Sequence, residues 1–198
     1  MKNIGIRLET IYDLIPFGSK VCDVGADHGL LGRKLLESGK ADLVQLVENK
    51  SGPFGALQRN LIEYVDDVRL LLSLSDGIDE LDPRIDTLVI SGLGGDTIVN
   101  IIDCHFKKLL PIERIIIGAH TKPFIVRELL FSVGYKIENE VVIKEANKLY
   151  LLISFVKGRI WPILENIVYG TLKTSSDPLV REYLKKNELA LKREMKAR

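Results

Sequence analysis

Four short clusters of acidic and glycine residues recur in the first half of the chain: Asp23-Val-Gly25-Ala-Asp27-His28-Gly29, Glu48-Asn49, Ser75-Asp76-Gly77 and Ser91-Gly92-Leu93-Gly94-Gly95-Asp96. Each follows an apolar run. Glycines allow a ligand to approach the backbone closely, and a helix that starts just after the first cluster presents free N–H groups to it. The first cluster lacks the GxGxxG spacing of a dinucleotide fold, and Asp27 places negative charge where a pyrophosphate would lie. A cationic or zwitterionic ligand suits it better. S-adenosylmethionine, with an ammonium and a sulfonium, is such a ligand.

The other clusters supply the remaining parts of one site. Glu48 ends the second apolar run 19 residues after Gly29, where a carboxylate accepts from ribose hydroxyls, and Asn49 stands beside it. Asp76 is placed to accept from an adenine amino group while Gly77 clears the ring. Taken singly, each reads as a turn or a strand cap. Ser91 and Gly92 are expected beside the sulfonium, and Gly94 and Gly95 towards the acceptor. His120 and Lys122, in the loop after the fifth run, are expected at the same edge. Candidate catalytic positions are Asp27 and Asp96, as carboxylates able to take a proton, and Gly92, where acceptor meets sulfonium. His28 joins the cofactor loop, whereas His105 falls near a helix end with no assigned role.

These residues must be carried by strands and helices in alternation. Leu8, Ile11, Tyr12 and Ile15 recur at helical spacing until Pro16-Phe17-Gly18 stops them. Strands are then expected at Lys20–Val24, Leu43–Val47, Val68–Leu72, Thr87–Ile90 and Arg114–Ile117, and helices at Leu30–Ser38, Pro53–Tyr64, Thr97–Phe106 and Pro123–Ser132. That order implies a parallel sheet covered on both faces. Tyr135–Ile143 and Lys148–Phe155 are separated by too few residues for a crossover helix, so they form an antiparallel hairpin. The fold class is therefore α/β and Rossmann-like, with a seven-stranded, mostly parallel sheet ending in a C-terminal antiparallel hairpin. The hairpin favours the methyltransferase variant of this fold over a NAD-binding domain, which usually ends with a sixth parallel strand.

Beyond Gly158 the pattern becomes helical and charged. Trp161, Leu164 and Val168 form one stripe, and Val180, Leu184, Leu191 and Met195 a second, separated by a break with Asp177 as N-cap and Pro178 at the first helical position. The expected organisation is a cofactor-binding domain over 1–158 and a basic, coiled-coil-like helical extension over 159–198. The whole chain carries a net charge of only +1, which gives no global bias towards nucleic acid. Residues 159–198, however, hold nine Lys/Arg against five Asp/Glu. Lys185, Lys186, Lys192 and Arg193 are the expected RNA contacts there. Cys22 and Cys104 have no paired spacing, so both are expected to be buried thiols rather than disulfide or zinc residues. The longest apolar run, Leu149 to Val156, is far short of the ~20 residues that span a bilayer. A soluble cytoplasmic protein with no metal and no membrane partner is expected.

With these residues assembled, the chain resembles the bacterial tRNA (adenine-22-N1)-methyltransferase family. The resemblance includes Arg7-Leu8-Glu9-Thr10-Ile11, the Asp23–His28 loop, Glu48, Asp76-Gly77 and Ile90-Ser-Gly-Leu-Gly-Gly95. It continues through Arg127-Glu128-Leu129, Gly134-Tyr135 and Tyr169-Gly170 to Arg181-Glu182-Tyr183-Leu184. It implies a class I methyltransferase domain with a helical extension, acting with S-adenosylmethionine on N1 of an adenine in tRNA, and it adds Arg7 to the cofactor residues. The chain departs from the family at Gly118-Ala-His-Thr-Lys-Pro123, where a Gln-Pro-Asn-like segment is usual. Two alternatives stay open: a methyltransferase with another acceptor, and a non-catalytic RNA module that binds the cofactor.

Overall fold

A computed structural model describes residues 4–197. Seven strands form one sheet: β1 (Ser19–Val24), β2 (Ala41–Glu48), β3 (Leu70–Leu74), β4 (Thr87–Leu93), β5 (Arg114–Ala119), β6 (Tyr135–Glu145) and β7 (Lys148–Lys157). Their order is β3-β2-β1-β4-β5-β7-β6. The first five are parallel, and β7 pairs antiparallel with both β5 and β6. The hairpin thus inserts its second strand into the sheet. The strand order reverses between β1 and β4, which run parallel, and a crevice opens there at the C-terminal strand ends.

The helices are α1 (Ile6–Leu14), α2 (Leu30–Ser38), α3 (Ser51–Asn60), α4 (Gly95–Cys104), α5 (Pro123–Ser132), α6 (Leu164–Tyr169) and α7 (Pro178–Ala197). Strand alternation divides the core in two. Ile11, Leu35 and Leu57 of α1, α2 and α3 pack on one face against Val44, Val89 and Ile116. Ile98, Val126 and Leu130 of α4 and α5 pack on the other against Leu88, Ile90, Ile115 and Ile117. Leu172 and Val180, from the C-terminal segment, belong to this second core.

An ion pair buried on both sides fastens that segment. The Arg127 guanidinium of α5 donates to Glu140 Oε1 of β6 at 2.7 and 2.9 Å and to the carbonyls of Ile167 and Val168 at 3.3 and 3.0 Å. Glu140 Oε2 accepts in turn from the Thr171 backbone N–H and hydroxyl. Gly170 lies between them at φ 61°, and a Cβ there would fall on the Glu140 carboxylate.

Several elements differ from the sequence expectation. β3 begins at Leu70 because Asp67 accepts from the Arg69 backbone and side chain, which turns the chain and leaves Val68 outside. The helix expected to reach Tyr64 ends at Asn60, and Ile62–Tyr64 is a separate 3-10 turn. Trp161 precedes α6 and is 98% exposed, so it packs on none of the described residues. Cys104, at the end of α4, is exposed, while Cys22 is buried as expected. Burial pushes the Cys22 thiol far up, so it stays protonated.

Candidate functional site

The first cluster joins β1 to α2. Gly29 caps α2 at φ 70°, and a Cβ there would lie 2.6 Å from Leu57 Cδ1, so only glycine satisfies both the left-handed turn and the contact with α3. Asp27 is also left-handed, at φ 50°. Its conformation is held by Glu48 Oε1, which accepts from the Asp27 backbone N–H at 2.7 Å. The end of β2 and the β1–α2 loop are therefore one hydrogen-bonded unit. Asp23 and Glu48 are both buried. Burial, and secondarily the charge of Glu48, pushes the Asp23 carboxyl up to about 7.

Two adjoining cavities follow the crevice. The larger, about 410 Å³, is lined by Arg7, Asp23, Gly25, Asp27, His28, Glu48, Asn49, Ser91, Gly92 and His120, among others. The smaller, about 90 Å³, lies between Gly25, Asn49, Leu93 and Ile101, with Ser75, Asp76 and Gly77 along it. Asn49 borders both and donates to Asp76 Oδ1 at 3.4 Å. The buried Ser75 hydroxyl has no hydrogen-bond partner among the described residues, nor has the Arg7 Nε. A Cβ at Gly25 or Gly92 would meet no atom within 4 Å. Unpaired polar groups, open glycine faces and a slot beside a cavity suit a ligand with a flat heterocycle, a diol and a polar tail. The uncompensated carboxylates suit a cationic tail.

The residues expected towards the acceptor divide into two groups. His120 borders the cavity, with its Nε2 3.5 Å from Arg7 Nη1. Burial, then Arg7 and Lys148, holds its imidazole below the usual range. Arg7 also lies over the Tyr150 ring, 5.2 Å from the centroid. Gly95, in contrast, is buried, and a Cβ there would lie 2.6 Å from the Thr121 carbonyl oxygen. It joins two loops and is closed to an acceptor. Asp96 and Lys122 pair with each other at 2.9 Å, both largely exposed, and Asp96 lines neither cavity. Asp27 does line the larger one. On α7, Lys185, Lys186, Lys192 and Arg193 are all exposed, and Lys192 pairs with Glu188.

Sequence reasoning gave no role to Tyr150, to Ser75 or to an Arg127–Glu140 pair. Tyr150 reads as one residue of an alternating strand, and only the antiparallel return of β7 next to β5 brings it to Arg7. No His/Cys/Asp/Glu group able to hold a metal occurs among the described residues, and no described helix is long and apolar enough to cross a membrane.

The sheet order, the crevice and the acidic loop after β1 define a class I methyltransferase fold. Residues 4–153 match the family model described as a methyltransferase domain, and the chain belongs to that family. A tRNA (adenine(22)-N(1))-methyltransferase of Bacillus subtilis (strain 168) is 27% identical over 186 residues, covering 93% of this chain and 76% of that protein. TrmK from M. capricolum, solved in complex with S-adenosyl-homocysteine, superposes with a TM-score of 0.82 at 25% identity, covering 93% of this chain and 83% of that one. A Streptococcus pneumoniae structure in complex with S-adenosyl-L-methionine gives a TM-score of 0.88 at 24% identity, covering 98% and 97%.

Proposed function

We propose that this chain transfers a methyl group from S-adenosyl-L-methionine to N1 of an adenine in tRNA, at position 22 as in the name of its B. subtilis relative, in the cytoplasm. The observation that carries this reading is the joining of Glu48, Asp23 and the Ser75–Gly77 turn around two adjoining cavities. When bound, the cofactor supplies a methyl group on a sulfonium that a neutral nitrogen lone pair can attack. Glu48 holds the ribose hydroxyls, Asp76 and Ser75 meet the adenine edge, and Asp23 faces the ammonium. Ser91 and Gly92 set the strand end against which the acceptor is placed. Adenine N1 is already a nucleophile, so orientation and fixed dipoles supply most of the acceleration. Asp27 is the carboxylate at the cleft that takes the proton later lost by the product. Gly94, His120 and Lys122 border the acceptor, and Lys185, Lys186, Lys192 and Arg193 hold the RNA.

Labelled cofactor incubated with unmodified tRNA should place label at one adenine, mapped by nuclease digestion. No incorporation into tRNA despite tight cofactor binding would favour the non-catalytic module. An Asp27→Asn chain with an unchanged single-turnover rate would remove Asp27 from proton transfer.

Cofactor binding should depend on pH through Asp23. Below about 7 its carboxyl is protonated in the free cleft, and a cationic ligand favours the ionised form, so binding must release a proton. Affinity for S-adenosylmethionine should therefore rise with pH up to about 7, by up to roughly tenfold per unit, and then level off. Adenosine, which lacks both cationic groups, should show no such rise. Calorimetry between pH 5.5 and 8.5 checks this, and parallel curves for the two ligands would refute it.

A further inference from the structure

Several lysines of this chain are already committed: Lys122 to Asp96, Lys144 to Glu182, Lys173 to Glu165 and Lys192 to Glu188. Lys148, which opens β7, and Lys186, on α7, form no ion pair among the described residues, and both are exposed. They line one groove of about 410 Å³ together with His120, Tyr150, Tyr183 and Asn187. Among the described residues, no Asp or Glu lines it. The groove shares His120 with the cofactor cleft, and the partition between them is the stack of Arg7 on Tyr150. Its two cations come from different walls, the hairpin and the C-terminal helix.

Resting on the reading of the chain as an RNA methyltransferase, we propose that this groove holds the phosphate backbone of the RNA strand carrying the target nucleotide, with Lys148 and Lys186 on the phosphates and Tyr150 and Tyr183 bordering its bases and sugars. A base that is to be methylated at N1 has to leave its stack, so the strand beside it is single-stranded where it meets the protein. Cations with aromatic side chains between them are what a single strand requires, because every base has a face to stack and every phosphate a charge to neutralise. The position is also right. A strand in this groove reaches the cofactor cleft at His120, beside the Ser91–Leu93 strand end.

The test uses the full chain carrying Lys148→Ala with Lys186→Ala, compared with wild type and with a Lys192→Ala, Arg193→Ala chain altered further along α7. Equilibrium binding of tRNA is measured over a range of salt, alongside cofactor affinity and methyl transfer. The groove pair should weaken tRNA binding roughly tenfold at ~0.1 M salt and lower the slope of log affinity against log salt by roughly 1.5. It should raise KM for tRNA and leave cofactor affinity unchanged, and the second pair should lose less on each count. Groove variants that bind tRNA with wild-type affinity and slope, while wild type methylates it, would overturn the groove and leave the proposed reaction standing. Wild-type protein that neither binds nor methylates tRNA would overturn both.

Discussion

Replacement of Glu140 by Ala is expected to lower the unfolding free energy by about 3–5 kcal/mol, because it leaves the Arg127 guanidinium charged, buried and without its counter-ion. The two side chains are 1% and 0% exposed, so water cannot take the place of the missing carboxylate. For a chain of this size the loss corresponds to a drop of roughly 10 °C in Tm, readable by differential scanning calorimetry. Gly170→Ala should act in the same direction by a different route, since its methyl group would displace the carboxylate from Arg127. Converting both partners, as Arg127→Met with Glu140→Leu, should recover part of the loss, although the carbonyls of Ile167 and Val168 and the Thr171 N–H would still lose partners. A Glu140→Ala chain that melts with wild type would mean that the C-terminal segment is held by its apolar contacts alone.

The second large effect is expected at Glu48. Its carboxylate fixes the Asp27 backbone at 2.7 Å and is proposed to accept from the ribose hydroxyls, so Glu48→Ala removes a charge-assisted contact to the ligand and frees the loop that surrounds it. A loss of about 1.5–3 kcal/mol in cofactor binding follows, or roughly 10- to 150-fold in Kd. Stability should change little, because removal of Glu48 also relieves its repulsion of the buried Asp23. The same change should lower the Asp23 carboxyl towards its usual range and shift the pH dependence of binding downwards. Titration with S-adenosyl-homocysteine measures both, and an unchanged Kd in a folded Glu48→Ala chain would remove Glu48 from the cofactor site.

The Arg127–Glu140 clasp also bears on how the C-terminal segment can be studied. Leu172 and Val180 complete the core on one face of the sheet, so ending the chain after Gly158 would expose that core together with a buried ion pair. Charge substitutions on exposed lysines separate RNA binding from folding, whereas truncation changes both at once.

How much was legible in the sequence differs from element to element. The strand-loop-helix at Asp23–Gly29, the carboxylate at Glu48, the Asp76-Gly77 turn and the β6–β7 hairpin are all local patterns. Each couples a few neighbouring residues to one backbone geometry, so the sequence by itself determined these elements and the class of the sheet, whereas the strand order and the crevice that gathers them come from pairing between distant segments. Local pattern also set the ends of α2 and α5. It did not set the start of β3, where an Asp67–Arg69 side-chain bond outweighs the strand preference of Val68, nor the burial of Trp161, whose apolar type says nothing about whether a surface is near enough to cover it. Charge was the least legible property. Lys122, Asp96 and Lys192 look free along the chain and are paired in space, while Lys148 looks like one end of a hairpin and is a cation beside the cleft with no ion pair among the described residues. The partners of Arg127 and Arg7 lie 13 and more than 100 residues away. Ion pairing and burial depend on distances between segments remote in sequence, and only the tertiary structure decided those.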